Sequence, residues 1–208
     1  MKQALFVLAG VLILLLVVAG ASIGTYNRLV TLDQQVEQQW AQVENVYQRR
    51  LDLVPNLVET VKGAANFERD TFLQVAEART RAAAVTTGGG PQAGATTSTA
   101  PEDPAAMERF QAAQDQLSSA LGRLFVVVER YPELSATQNF RDLQAQLEGT
   151  ENRIAVERMR YNEAAREFNT ARNRFPTNLV ADMFGERFAT KTFFRATAGA
   201  DRPPAVQF

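Results

Sequence analysis

Carboxylates and guanidinium groups are the side chains here with the reach for chemistry, because the sequence contains neither histidine nor cysteine. That removes imidazole bases, Ser-His-Asp triads, thiolate nucleophiles, iron–sulfur ligation and the nitrogen and sulfur donors of zinc sites. The obvious acid pair is Glu148 and Glu151, three apart on a periodic stretch. Acids at that spacing are common on helix surfaces, and no Gly-rich loop or acid cluster accompanies them to form a cleft. No catalytic, cofactor-binding or metal-binding residue is therefore assigned. A carboxylate-dependent enzyme is the remote alternative, and it requires two acids converging in a closed pocket.

The arginines prompt a different question. Residues 153–174 carry six Arg against Glu157, Glu163 and Glu167, but these are scattered around the helix without interleaved exposed aromatics. With 22 basic and 23 acidic side chains overall, no field draws in nucleic acid, and the expected reading is a salt-bridged, solvated face. Neither nucleic acid nor a small-molecule substrate is an expected partner. A more ordered polar set lies beside the apolar seam of the same helix: Glu151, Asn152, Arg158, Asn162, Asn169 and Arg172. Two readings stand for it, a strip that fixes the register of helix packing and a strip that binds a partner. Around Pro55, residues Arg49, Arg50, Asp52 and Asn56 invite a similar choice between local repair of a bent helix and a hinge or contact point.

Something must position these groups, and the periodicity says it is a set of long helices. Mean hydropathy is −0.20, yet Ala4 to Ile23 is an unbroken run of apolar or small residues, and no charge occurs between Lys2 and Arg28. Twenty residues at 1.5 Å each reach roughly 30 Å, a hydrocarbon core. Residues 1–25 are read as a transmembrane anchor in contact with the lipid bilayer through residues 4–23. The competing reading is a cleaved signal peptide, with Ala19-Gly20-Ala21 resembling a cleavage site. Lys2 before the span leans toward an inside N-terminus and a soluble part on the periplasmic or outer side.

Residues 26–176 form the expected bundle. Trp40, Tyr47, Val54 and Val61 recur at sevens, as do Phe140, Leu147, Ile154, Tyr161, Phe168 and Phe175, which marks a packed seam. Pro55 predicts a kink, and Gly63 with Asn66 offers a second break, so residues 27–84 are one bent helix or two. The low-complexity stretch 86–103 is a flexible linker or exposed loop. Asp103-Pro104 starts the next helix as N-cap and first residue, and Ser135 with Gln138 fits a capping box for the last. In the aromatic-rich tail, residues 177–208, Phe188, Phe193, Phe194 and Phe208 show no clear period. They are candidates for contact outside the bundle, with packing over its end as the plainer alternative.

Several blocks resemble one family. RRLDLVPNLVETVKG at 49–63, FERDTF, and EAR at 77–79 look like the LemA family of bacterial membrane-anchored proteins, as do YPELSATQNFRDLQAQLEGTENRIAVERMRYNEAAREFN at 131–169 and the closing PAVQF. The resemblance implies an all-α protein: an N-terminal single-pass helix in the bacterial inner membrane followed by an antiparallel four-helix bundle. It implies no established catalysis or cofactor. One relative within the family is associated with building intracellular membrane invaginations, an analogy that points to organising membranes. The expected function is thus a non-enzymatic, self-associating scaffold, forming a homo-oligomer or binding a membrane protein. The alternative is an adaptor that presents the bundle to an envelope protease or transporter.

Overall fold

The computed structural model describes residues 2–62, 69–86, 100–101 and 103–195. Among them the helices are α1 (Lys2–Lys62), α2 (Arg69–Thr86), α3 (Pro104–Val128), the single turn α4 (Pro132–Ser135), α5 (Gln138–Asn173) and α6 (Thr177–Met183), followed by a 3-10 turn, Gly185–Phe188. Residues 27–62 and 69–84 thus fall in two helices, and Gly63 and Asn66 lie outside the described residues. Most of the stretch read as a linker lies outside them too; Thr86, which is the last residue of α2, and Ala100, Pro101 and Asp103 do not.

α1 is one helix of 61 residues, about 90 Å long. Its first third exposes Phe6, Leu8, Leu12, Ile13, Leu16 and Val17, and that stretch is long and apolar enough to cross a bilayer. From Leu29 onward the same helix changes role. Leu29, Val36, Trp40, Val43, Tyr47, Leu51, Val54, Leu57 and Val61 are all buried. Pro55 lies inside the helix without ending it. Its missing N–H leaves the Leu51 carbonyl without its helical donor, and Arg79 Nε of α2 donates to that oxygen at 3.1 Å.

α5 runs antiparallel to α1, placing Tyr161 against Trp40 (ring centroids 5.5 Å) and Glu151 against Arg50. α2 and α3 pair antiparallel, with Arg123 on Gln74 and Gln114 on Thr86. These four long helices make the bundle, but they are unequal. The 36 residues of α5 reach about 54 Å and the 18 of α2 only about 27 Å. α2 contributes to the core around Leu51–Val61 and Phe140–Leu147. The other half, around Leu29–Tyr47 and Ile154–Ala171, is completed by Phe188 and Phe194 from the C-terminal segment.

Asp103 caps α3 as its spacing indicates, its Oδ1 accepting from Ala105 N–H at 3.0 Å, with Pro104 in the first turn. The cap of α5 differs from expectation. α4 intervenes, so Ser135 closes that turn by donating to the Pro132 carbonyl. Thr137, in an extended conformation, accepts from Phe140 N–H instead.

The heptad seam also ends one member early. Trp40, Tyr47, Val54, Val61, Phe140, Leu147, Ile154, Tyr161 and Phe168 are buried, but Phe175 is 80% exposed. Pro176 disfavours helical geometry at the residue before it. α5 accordingly stops at Asn173, and Phe175 leaves the face that its spacing assigns.

Candidate functional site

The polar set on α5 is built around the C-terminal segment. After the 3-10 turn, Ala189 adopts φ −59° and ψ 149°, polyproline-like values, and residues 189–195 continue without regular hydrogen-bonded structure. Phe188, Lys191 and Phe194 are buried and the residues between them are not, a period of three. Two asparagines of α5 hold this strand-like segment by its backbone. Asn169 Oδ1 accepts from Lys191 N–H at 2.8 Å, and its Nδ2 donates to the Lys191 carbonyl at 2.9 Å. Asn162 does the same for Phe194, at 2.9 and 3.0 Å. The register has a simple origin. Seven helical residues rise about 10.5 Å and three extended residues about 9–10 Å, so asparagines seven apart meet backbone groups three apart.

Arginines extend the clasp at both ends. Arg172 Nε donates to the Phe188 carbonyl at 3.0 Å while its Nη2 pairs with Asp182 at 2.8 Å. Arg158 Nη2 donates to the Arg195 carbonyl at 2.8 Å, and its guanidinium lies 4.8 Å from the centre of the Phe194 ring. Side chains anchor the segment from the other direction. Phe194 packs among Trp40, Phe110 and Tyr161 with centroid separations of 5.4–6.2 Å. Lys191 Nζ, 4% exposed as a residue, meets Asp33 Oδ1 at 2.8 Å and Glu37 Oε1 at 4.0 Å. Glu37 also accepts from Ala100 N–H, and Thr192 donates to the Pro101 carbonyl. One segment therefore ties α1, α5 and the approach to α3 together.

Two expectations about the tail are corrected by this arrangement. Phe188 and Phe194 are core residues, 0% and 5% exposed, and do not reach outward. Their burial follows from the unequal helices: α2 leaves a slot along α1 and α5 that these rings fill. Phe193 between them is 44% exposed, and Phe208 lies outside the described residues.

Glu151 stands apart from the clasp. It pairs at 2.9 Å with Nε of Arg50, whose side chain is 2% exposed, and Arg50 also donates to Ser118 Oγ. Burial pulls the Arg50 guanidinium below its ordinary pKa, and Glu151 opposes that shift. Beside it, burial pushes the Tyr47 phenol up to about 12, partly countered by Arg158 and Arg50. That phenol holds its proton throughout the neutral range. Glu148 faces solvent and accepts from Gln144, so the acid pair on α5 does not converge. Asn152 is exposed and away from the clasp. Among the described residues no three acidic side chains are grouped to hold a metal ion.

Asp33 and Lys191 were not singled out from sequence, although signals existed. Asp33 sits between Leu29 and Val36 on the apolar face of α1, and Lys191 is one of three lysines in an arginine-rich chain. What the site recognises chemically is an extended peptide: paired amides for its backbone, an acidic pocket for a cation and an aromatic pocket for a ring.

The sequence model of the LemA family matches residues 39–208. The chain belongs to the LemA family. The matched region takes in most of the bundle and the C-terminal segment, and leaves out the apolar third of α1 and its next turns, including Asp33 and Glu37. Two similar proteins are magnetosome proteins MamQ 1 and MamQ 2 of Paramagnetospirillum magneticum, each 29% identical over 187 residues, 86% of this chain and 67% of theirs. Magnetosome protein MamQ of Magnetospirillum gryphiswaldense is 27% identical over the same span. Neither the LemA family nor these relatives are known as enzymes.

Proposed function

We propose that this LemA-family protein is a membrane-anchored, non-enzymatic scaffold, in which a rigid bundle is held at a fixed height on the bilayer and self-associates there. The observation that carries the reading is the continuity of α1: one helix supplies both the exposed apolar span and the central strut of the core. A joint without a loop transmits orientation from membrane to bundle. A flexible tether would serve an enzyme that searches for substrate. Similarity to magnetosome proteins is consistent with work done at a membrane-bounded structure. In this reading the span lies in the bacterial inner membrane through residues 4–23, the bundle stands on the periplasmic side, and the partner is another copy of the chain or a membrane protein. No cofactor is involved.

Electron microscopy of the protein in native membranes, with crosslinking in cells, tests this. Homotypic products and ordered clusters are the expected result. A single dominant foreign partner would convert the scaffold into an adaptor, and a monomer with no partner would end the proposal. Reporter fusions at the C-terminus check the side of the membrane independently.

A further inference from the structure

The corrected position of Phe175 leads to a second membrane contact. Because α5 runs antiparallel to α1, with Tyr161 beside Trp40 and Asn169 reaching Asp33 through Lys191, its continuation brings Phe175 to the level of Tyr26. α6 follows at that level, with the Phe184 ring 4.7 Å from the Tyr26 ring. Tyr26 is three residues beyond Ile23, about 4.5 Å along the helix axis. This end of the bundle therefore lies where α1 leaves its apolar run.

Here four large apolar side chains face outward within ten residues: Phe175 at 80% exposure, Leu179 at 56%, Met183 at 82% and Phe184 at 47%. Elsewhere on the described bundle, large exposed apolar residues occur singly, as Leu73 and Val126 do, or as the pair Val156 and Met159. Isolated apolar residues need no explanation, whereas a cluster marks a contact. The inner side of α6 is accounted for, since Ala181 is fully buried; Asp182 beside it is exposed and paired with Arg172. The outer side lies at the level where the apolar run of α1 ends, next to Tyr26.

We propose that residues 175–184 form an interfacial foot, with Phe175, Leu179, Met183 and Phe184 seated in the headgroup–acyl boundary of the bilayer beside α1. Phenylalanine and leucine side chains are typical of the apolar face that interfacial helices bury at that boundary. Two points of contact, span and foot, fix the tilt and rotation of the bundle, which a single span leaves free. The inference rests on reading α1 as a membrane span, and the test separates the two.

The absence of cysteine allows single spin labels without background. Full-length Phe175→Cys, Met183→Cys, Leu16→Cys and Met159→Cys proteins are labelled with a nitroxide in phosphatidylcholine nanodiscs. Collision with oxygen and with a water-soluble nickel chelate is then measured. All four side chains are exposed, and unchanged Trp40 emission verifies the fold. The expected result is an oxygen-to-nickel ratio several-fold higher at 175 and 183 than at 159, approaching that at 16. Ratios at 175 and 183 equal to that at 159, with 16 still in lipid, overturn the foot and leave the anchor standing. Low collision with both reagents at 175 and 183 means coverage by protein, such as a second copy, and also overturns it. An aqueous ratio at 16 overturns the span itself.

Discussion

Asn169→Ala isolates the clasp, because Asn169 ties both backbone groups of Lys191 and nothing else in the segment. Each hydrogen bond contributes about 0.5–1.5 kcal/mol net, and an amide group left buried without a partner costs about 1–3 kcal/mol. Lys191 is 4% exposed, so water does not readily replace the lost side chain. The expected cost of holding the segment closed is about 2–4 kcal/mol. At 1.4 kcal/mol per tenfold, that is roughly a 30- to 1,000-fold larger population of the opened segment. The helices keep their own hydrogen bonds, so opening the segment should precede unfolding of the bundle.

Amide hydrogen exchange on the full-length protein reads this directly. Protection at Lys191 and Phe194 should fall by that factor while protection in the middle of α1 and α5 falls far less. Trp40, the sole tryptophan, supplies a second probe. Its ring lies 6.0 Å from that of Phe194 at an interplanar angle of 18°, so opening hydrates the indole and moves its emission to longer wavelength. Asn162→Ala, acting on Phe194 itself, should shift Trp40 more than Asn169→Ala does. Unchanged protection at both residues in the double variant would refute the claim that the asparagines hold the segment. Equal loss throughout the bundle would refute the claim that the segment opens by itself.

Other consequences are simpler to measure. Lys191→Met strands Asp33 in the core and should lower unfolding free energy by about 3–5 kcal/mol; adding Asp33→Leu should restore much of it in a denaturant titration. Stability should decline between about pH 10 and 12, because the unfolded Tyr47 phenol ionises there while the folded one, held at about 12, does not. Two pH units correspond to about 3 kcal/mol, full stability lies below pH 10, and Tyr47→Phe should flatten the decline relative to the parent. Thr137→Ala removes the acceptor for Phe140 N–H and should cost about 1 kcal/mol, whereas Ser135→Ala should cost less, by thermal melts.

The seam was legible because a helix repeats its buried face every 3.6 residues, and Phe140 to Phe168 keep that rhythm for five members. Phe175 shows what periodicity alone omits. A spacing of seven assigns a face only while the backbone remains helical, and Pro176 disfavours that at the residue before it. The polar strip was legible as a set, since it flanks the seam. What it binds was not, because Phe188, Lys191 and Phe194 recur every three residues, which fits neither a helix nor a pleated strand. A lysine in the middle of that triplet breaks its apolar signal further, and the reason for burying it is Asp33, 158 positions away in the chain. The same long-range geometry links the two corrections. Burial of Phe188 and Phe194 pins the segment along α5, and the turn needed to reach that groove from the end of α5 runs through α6. It leaves Phe175, Leu179 and Met183 at the foot of the bundle, beside the emerging span. The clasp that fills the slot left by a short α2 thus also determines where the exposed apolar cluster lies.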